Sequence, residues 1–150
     1  MGETPAGYAI MPSSVVINAR TVLCARRCAA ERASWIDVYA SADRGYRWQL
    51  VGRPVPDTGN GGNPPALVRL PDDRLVLVYG SRAEPYGLRA VISDDDGKSW
   101  SPSVLTDDIA VRDMGYPRAV VMDDATVLAV YYANSATRSE RYIEAVRWRP

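Results

Sequence analysis

The feature that most constrains this chain is an eight-residue pattern that occurs twice. Ser93-Asp94-Asp95-Asp96-Gly97-Lys98-Ser99-Trp100 reads S-x-D-x-G-x-x-W, and Ser41-Ala42-Asp43-Arg44-Gly45-Tyr46-Arg47-Trp48 reads the same, 52 residues earlier. Each position has a physical reason. Asp43 and Asp95 can accept hydrogen bonds from backbone N–H groups of a turn, as an Asx-turn does. Gly45 and Gly97 supply the positive φ of a tight hairpin. Trp48 and Trp100 are expected to bury a large ring beside the turn. A strand-like run precedes each copy, Trp35 to Ala40 and Leu88 to Ile92.

The repeat extends beyond the turn. Three segments open alike, at Met11-Pro12-Ser13-Ser14-Val15-Val16-Ile17, Asn63-Pro64-Pro65-Ala66-Leu67-Val68-Arg69-Leu70 and Tyr116-Pro117-Arg118-Ala119-Val120-Val121-Met122. Pro12, Pro64 and Pro117 fall at spacings of 52 and 53 residues, and proline suits the first residue of a strand because it has no N–H to donate. Each opening strand leads through a polar turn to a second strand, at Thr21 to Arg26, Leu75 to Tyr79 and Val127 to Tyr132. A longer polar loop and a third strand follow, the last of these running from Tyr142 to Trp148. A fourth strand follows each repeated turn, at Gln49 to Arg53 and near Ser103 to Leu105. The alternation of aliphatic and aromatic residues fits strands, and no helix is expected.

Four antiparallel strands repeated at about 50 residues make a propeller blade. The expectation is an all-β chain, one partial β-propeller domain over 1–150, with blades at 11–58, 59–112 and 113–150. The third unit ends at Trp148-Arg149-Pro150 without the repeated turn. Exposed apolar faces and strand edges are expected on the end blades. Two remedies stand open. Two chains could close a six-bladed ring as a homodimer, residues 1–10 of one (Tyr8-Ala9-Ile10) serving as the missing outer strand of the other. Alternatively, the chain is a truncated gene product whose first three blades are missing.

Composition narrows the chemistry. The chain has 150 residues, 47% hydrophobic and 24% charged, which suits one globular unit. Net charge is zero and no basic stripe stands out, so no nucleic-acid partner is expected. No apolar run approaches the ~20 residues of a membrane helix, so no membrane partner is expected either. Met1-Gly2-Glu3-Thr4-Pro5 lacks the charged start and apolar region of a signal peptide. A cytoplasmic location is expected for the chain as given, and secretion if an upstream part precedes it. Histidine is absent, which removes Ser-His-Asp catalysis and histidine metal sites; no cofactor or metal is expected. Cys24 and Cys28, if extended, lie ~13 Å apart at about 3.3 Å per residue, too far for a disulfide. Core-type or loop thiols are expected, with a metal or redox pair as the alternative.

Blade topology puts the turns after strands one and three on one face and the loops after strands two and four on the other. The second face is expected to bind. It gathers Gly59-Asn60-Gly61-Gly62-Asn63, Gly80-Ser81-Arg82-Ala83-Glu84-Pro85-Tyr86, Arg112-Asp113-Met114-Gly115-Tyr116-Pro117-Arg118, Tyr131-Tyr132-Ala133-Asn134 and Arg138 to Tyr142, with Arg26, Arg27, Glu31 and Arg32 from the first unit. Arginines pair bidentately with carboxylates, and tyrosines stack and donate hydrogen bonds. That mixture suits an anionic sugar. The bland alternative is a set of ordinary surface ion pairs.

The repeated turn is similar to the Asp-box of sialidase-like BNR-repeat β-propellers, and the second and third units resemble the C-terminal half of such a six-bladed ring. The resemblance implies a carbohydrate ligand and, at its most specific, a sialidase-like glycoside hydrolase, or a fragment of one, acting on a terminal acidic sugar. In sialidases a tyrosine backed by a glutamate is the nucleophile, an aspartate is the acid and three arginines hold the substrate carboxylate. A neutral nucleophile avoids repulsion with that carboxylate. Carried onto this sequence, Tyr116 in Gly115-Tyr116-Pro117 is the nucleophile, and Asp113 is the acid or tunes Tyr116. Arg82 and Arg118 are carboxylate clamps, with Tyr132 and Arg141 as further substrate-binding residues. Two departures stand out. The family's third arginine falls at Pro85, three residues from Arg82, and its glutamate falls at Tyr132. These departures favour a non-catalytic carbohydrate-binding propeller, and the chain length favours an inactive truncated half-propeller. A uronate lyase on the same fold is a further possibility.

Overall fold

The computed structural model describes residues 7–150, the side chain of Ser139 excepted. It contains eleven strands and, among the described residues, no helix. The first sheet has the order β1 (Gly7–Val16), β2 (Val22–Ala30), β3 (Ala33–Ser41) and β4 (Gln49–Val55), each antiparallel to the next. The second repeats it with β5 (Ala66–Arg69), β6 (Leu75–Ser81), β7 (Gly87–Ser93) and β8 (Ser101–Val104). The third has β9 (Gly115–Val121), β10 (Val127–Ser135) and β11 (Arg138–Trp148). These are two complete propeller blades and three strands of another. The first strands β1, β5 and β9 pack side by side as the inner wall.

The core lies between blades. Leu75 and Leu77 on β6 face the first blade, where Leu23, Ala25, Ile36, Val38 and Val55 meet them. Val76 and Val78, on the other face of the same strand, meet Met114, Val127, Ala129 and Tyr131 of the third blade. A strand packed on both sides reads as a continuous apolar run. All four residues are fully buried, and truncating such a leucine to alanine costs about 2–5 kcal/mol.

The Asp-box turns behave as their residue types demand. Asp95 Oδ1 accepts from the N–H groups of Lys98 at 3.0 Å and Ser99 at 2.8 Å, and Asp43 Oδ1 accepts from Arg47 N–H at 2.8 Å. Gly45 and Gly97 have φ of 94° and 84°. The serines, to which the sequence assigned no task, receive the glycine N–H groups at 2.7 Å (Ser41) and 2.9 Å (Ser93). Trp48 and Trp100 are half-buried rather than buried. Their indoles also donate to Gly45 and Gly97 carbonyls at 2.9 Å, so the ring clamps the turn it covers.

Several expectations change. β1 begins at Gly7, before Met11, and Pro12 sits inside it at a register shift between Ile10 and Ser13, where no ladder bond is required of it. Pro64 precedes β5 by two residues and Pro117 is the third residue of β9. Gly7 to Ile10 pair with Ala30 to Arg27 of the same chain, so Tyr8-Ala9-Ile10 is not a spare strand for a second copy. Met1 to Ala6, the rest of that proposed strand, lie outside the described residues. The loop expected at Arg138 to Tyr142 is strand, because β10 and β11 form a hairpin with only residues 136–137 between them. The long connections on the face opposite the Asp-boxes are therefore the links between blades, 56–65 and 105–114.

The end faces differ. On the first blade, Arg26 stacks on Tyr39 and Arg53 on Trp35, each 4.4 Å from the ring centroid. The buried Asp37 carboxylate accepts from Arg53 at 2.8 Å and from the Trp35 indole at 2.9 Å. On the third blade, Val120, Val130 and Ile143 stay exposed. Cys24 and Cys28 are free and buried, as expected of core-type thiols.

Candidate functional site

The inter-blade links carry the face opposite the Asp-boxes. The first link is tied to both blades it joins. Thr58 N–H donates to Ser34 O at 2.8 Å, and Thr58 O accepts from Arg82 N–H at 2.8 Å. Gly59 then runs so close to Arg82 that an added Cβ would sit 2.0 Å from the Arg82 carbonyl carbon. This fixes the backbone that carries the Arg82 side chain, directly after the end of β6.

Arg82 reaches the second link. Its Nε and Nη2 donate to Met114 O at 3.3 and 3.1 Å, and Nη2 also donates to the Tyr132 hydroxyl at 2.9 Å. Tyr132 Oη in turn donates to Asp113 Oδ1 at 2.8 Å, and Asp113 Oδ2 accepts from Arg141 Nε at 3.0 Å. Arg82, Tyr132, Asp113 and Arg141 thus form one chain of bonds. Asp113 is exposed, and the hydrogen bond from Tyr132, followed by that from Arg141, holds its carboxyl below the usual carboxylate range. Burial first, and then the bond to Asp113, pushes the Tyr132 phenol up. Asp113 is therefore ionised at neutral pH and is no proton donor there. It touches Tyr132 rather than Tyr116, so any effect on Tyr116 passes through Tyr132.

Tyr116 stands beside this chain, its ring centroid 5.9 Å from that of Tyr132 and 5.8 Å from the Arg82 guanidinium. Its hydroxyl accepts from Arg27 Nη1 at 3.3 Å. Arg27 is buried on β2, on the side that faces the second blade, and it also donates to the Tyr8 hydroxyl at 2.8 Å and to the Gly61 carbonyl. Tyr8 Oη donates to the same carbonyl at 3.1 Å. Of the first unit's candidates, Arg27 joins the cluster; Arg26 lies on the other side of β2, against Tyr39.

The backbone at Tyr116 is unusual. Gly115 has φ of 116° and Tyr116 has φ of 53°. Asn63, fully buried, brackets the pair: its Nδ2 donates to Met114 O at 2.9 Å and its Oδ1 accepts from Tyr116 N–H at 3.0 Å. A Cβ on Gly115 would lie 2.0 Å from that amide nitrogen, so only glycine fits. A second buried amide, Asn134, fastens the preceding residues, donating to Asp113 O at 2.9 Å and Val111 O at 3.1 Å.

A cavity of about 320 Å³ opens beside Tyr116 along the inner strands, lined by Met11, Pro12, Pro64, Pro65, Pro117 and Arg118 besides Tyr116 itself. Arg118 is exposed on β9 and has no hydrogen-bond or ion-pair partner among the described residues. The arginines therefore divide. Arg27, Arg82 and Arg141 are held by protein groups, while Arg118 leaves its guanidinium available over the cavity.

Of the residues singled out in the sequence, the structure brings Tyr116, Asp113, Arg82, Tyr132 and Arg141 into one cluster and puts Arg118 on the cavity wall beside Tyr116. Arg27, Tyr8 and Asn63 complete the arrangement. No spacing rule marks Arg27, since neighbouring Arg26 has the same composition and only the strand's register separates the two.

The family model of the BNR repeat-like domain matches residues 2–129. No curated protein matches the chain. Among solved structures, a protein of unknown function from Dyadobacter fermentans DSM 18053 is 28% identical with a TM-score of 0.77, over 97% of this chain and 39% of that one. A thermostable family-43 glycoside hydrolase is 10% identical with a TM-score of 0.57, over 95% of this chain and 49% of that one. An endo-arabinase from Bacteroides thetaiotaomicron VPI-5482 is 17% identical with a TM-score of 0.51, over 90% and 55%. At those identities the last two likenesses concern the fold. The chain spans between 39% and 55% of the length of these three structures.

Proposed function

The chain belongs to the family of BNR repeat-like domains, and on that premise we propose that its loop face binds an acidic sugar at the inner-strand cavity. The observation that carries the reading is the pairing of an available guanidinium with an apolar, aromatic wall. Arg118 stands over a cavity whose other walls are Tyr116, Met11 and four prolines. Sugars present C–H faces that pack on such surfaces, and a carboxylate pairs with a guanidinium through two parallel hydrogen bonds. Arg27 and Arg82 hold the Tyr116 ring in place and add positive potential behind it. That two structural neighbours are named for glycoside hydrolysis and arabinan cleavage is in keeping with a carbohydrate ligand.

Titration calorimetry with N-acetylneuraminic acid, glucuronic acid and methyl glucoside tests this reading. The two acids are expected to bind saturably and the neutral sugar weakly. Arg118→Gln should weaken the acids by about tenfold or more, the equivalent of one charge-assisted hydrogen bond of ~1.5–3 kcal/mol. Equal binding of acid and neutral sugar, or none of either, would reject the assignment.

A second reading is sialidase-type hydrolysis with Tyr116 as nucleophile. It is favoured by the exposed Tyr116, whose hydroxyl accepts a hydrogen bond from Arg27. Hydrolysis also requires a proton donor, and Asp113 is held in its ionised form. Release of 4-methylumbelliferone from its N-acetylneuraminide, abolished by Tyr116→Phe, would establish this reading. Binding without release would leave a carbohydrate-binding module.

A further inference from the structure

We propose that Asn63 is a positioning residue for Tyr116: it fixes the peptide on which the phenol is carried, and so sets the ligand affinity of a site it does not touch. The second half of this statement rests on the sugar-binding reading; the first does not.

The strain comes first. A residue before proline is pushed toward extended backbone, yet Tyr116, before Pro117, has φ of 53°. A non-glycine residue in the left-handed region costs of order 1–3 kcal/mol and persists only where its surroundings impose it. At Tyr116 the group that bonds the peptides on both sides is the Asn63 amide. One planar side chain supplies the donor for Met114 O and the acceptor for Tyr116 N–H, and so spans the two peptides on either side of Gly115. It can do so only because Gly115 has no Cβ. Arg82 shares the Met114 carbonyl, so the same atom ties the Asn63 clamp to the cation beside the Tyr116 ring.

The repeat explains how this arose geometrically. Met11, Asn63 and Tyr116 are the residues before the three aligned prolines. Met11 shares the left-handed φ, at 54°, and with Tyr116 lines the cavity. Asn63, at the same place in the middle blade, is turned away from the cavity and into the next blade, where it is fully buried. One blade thus gives up its cavity position to hold its neighbour's side chain. Without the clamp the strain at Tyr116 is relieved toward extended backbone. The ring then leaves Arg27, which it meets at 3.3 Å, and Tyr132.

The test compares wild type with Asn63→Ala and the milder Asn63→Ser. Leu67→Ala, in the core between the first two blades, serves as a control of reduced stability that does not touch Tyr116. Amide exchange of Tyr116 and the nuclear Overhauser contacts of its ring with Arg27 and Tyr132 are read by NMR without any ligand. Both Asn63 variants should speed Tyr116 amide exchange about fivefold to tenfold beyond the control and lose the ring contacts, in line with the loss of a single hydrogen bond. Unchanged Tyr116 exchange and ring contacts in a folded Asn63 variant would overturn the proposal. So would equal changes in the control. Calorimetry with N-acetylneuraminic acid then reads the consequence: affinity should fall by a similar factor in the Asn63 variants and hold in the control. Lost ring contacts with unaltered affinity would overturn the link to binding. If wild type itself binds no acidic sugar, the sugar-binding reading fails and the ligand-free readout still decides whether Asn63 places Tyr116.

Discussion

Arg27 Nη1 donates to the Tyr116 hydroxyl at 3.3 Å across 89 residues of sequence, from the second strand of the first blade to the first strand of the third. The contact joins the two outer blades beside Tyr116, which also lines the inner-strand cavity. The cluster around Tyr116 is therefore built by all three blades. Its parts are Tyr8 and Arg27 from the first, Asn63 and Arg82 from the second, and Tyr116, Tyr132 and Arg141 from the third.

Removing Arg27 should loosen the blades as well as the site. Its guanidinium also serves the Tyr8 hydroxyl and the Gly61 carbonyl, both of which would lose a charged donor. Arg27→Gln is expected to lower the unfolding free energy by about 1–3 kcal/mol, the usual cost of leaving such groups unpaired. Urea unfolding followed by tryptophan fluorescence measures this. An unchanged midpoint and slope would show that the contact contributes nothing to folding.

Two turn carboxylates, Asp95 in an Asp-box and Asp124 between β9 and β10, make the fold sensitive to acid. Hydrogen bonds from the Ser99 hydroxyl and backbone lower the Asp95 carboxyl to about 2, and bonds from Thr126 lower Asp124 to about 2. A carboxylate depressed in the folded state stabilises above its unfolded value near 3.8 and loses that contribution as pH falls toward 2. Stability should therefore decline between about pH 4 and pH 2, and Asp95→Asn should flatten that decline. Thermal unfolding across this range provides the measurement, and an identical pH dependence in the variant would refute the role given to Asp95.

Cys28 should be inert while the chain is folded. Burial first, and then the negative charge of Asp37, raises its thiol to about 11, and its Sγ lies 3.6 Å from Asp37 Oδ2. The thiolate is the reactive form, so a thiol reagent at pH 8 should modify Cys28 only after denaturant is added. Because the raised value belongs to the fold, the contribution it represents is present below about 9 and is lost as pH climbs toward 11. Mass spectrometry after brief iodoacetamide treatment reads the outcome; rapid modification of the native chain would contradict the burial.

Much of this was legible in the sequence wherever a local rule was sufficient. The S-x-D-x-G-x-x-W turns declare themselves because aspartate, glycine and tryptophan each answer a need of the same hairpin. The strands declare themselves by alternation and by the proline spacing. The first four residues of β1 read as a strand separate from its remainder because Pro12 resembles a strand start, whereas a register shift lets the strand run through it. The start of β11 reads as a loop because Arg138 to Arg141 are polar, and nothing pairs across the outer edge of β11 among the described residues to demand otherwise. Tyr116, Arg82 and Asp113 could be found from blade topology, since strand ends at one face must converge. Blade topology also puts Arg27 and Asn63 on that face, but what they do there is set by partners 89 and 53 residues away, which no local pattern shows.

The central claim is that the ligand site lies at the loop face around Tyr116 and not at the Asp-box face. Titrating the isotopically labelled chain with N-acetylneuraminic acid, followed by two-dimensional NMR, tests it most directly. Saturable shifts at Gly61, Arg82, Tyr116 and Arg118, with Ser41 to Trp48 and Ser93 to Trp100 unmoved, are the predicted result. Shifts confined to the Asp-box turns, or no saturable shift up to about 10 mM, well above an affinity of ~1 mM, would contradict it.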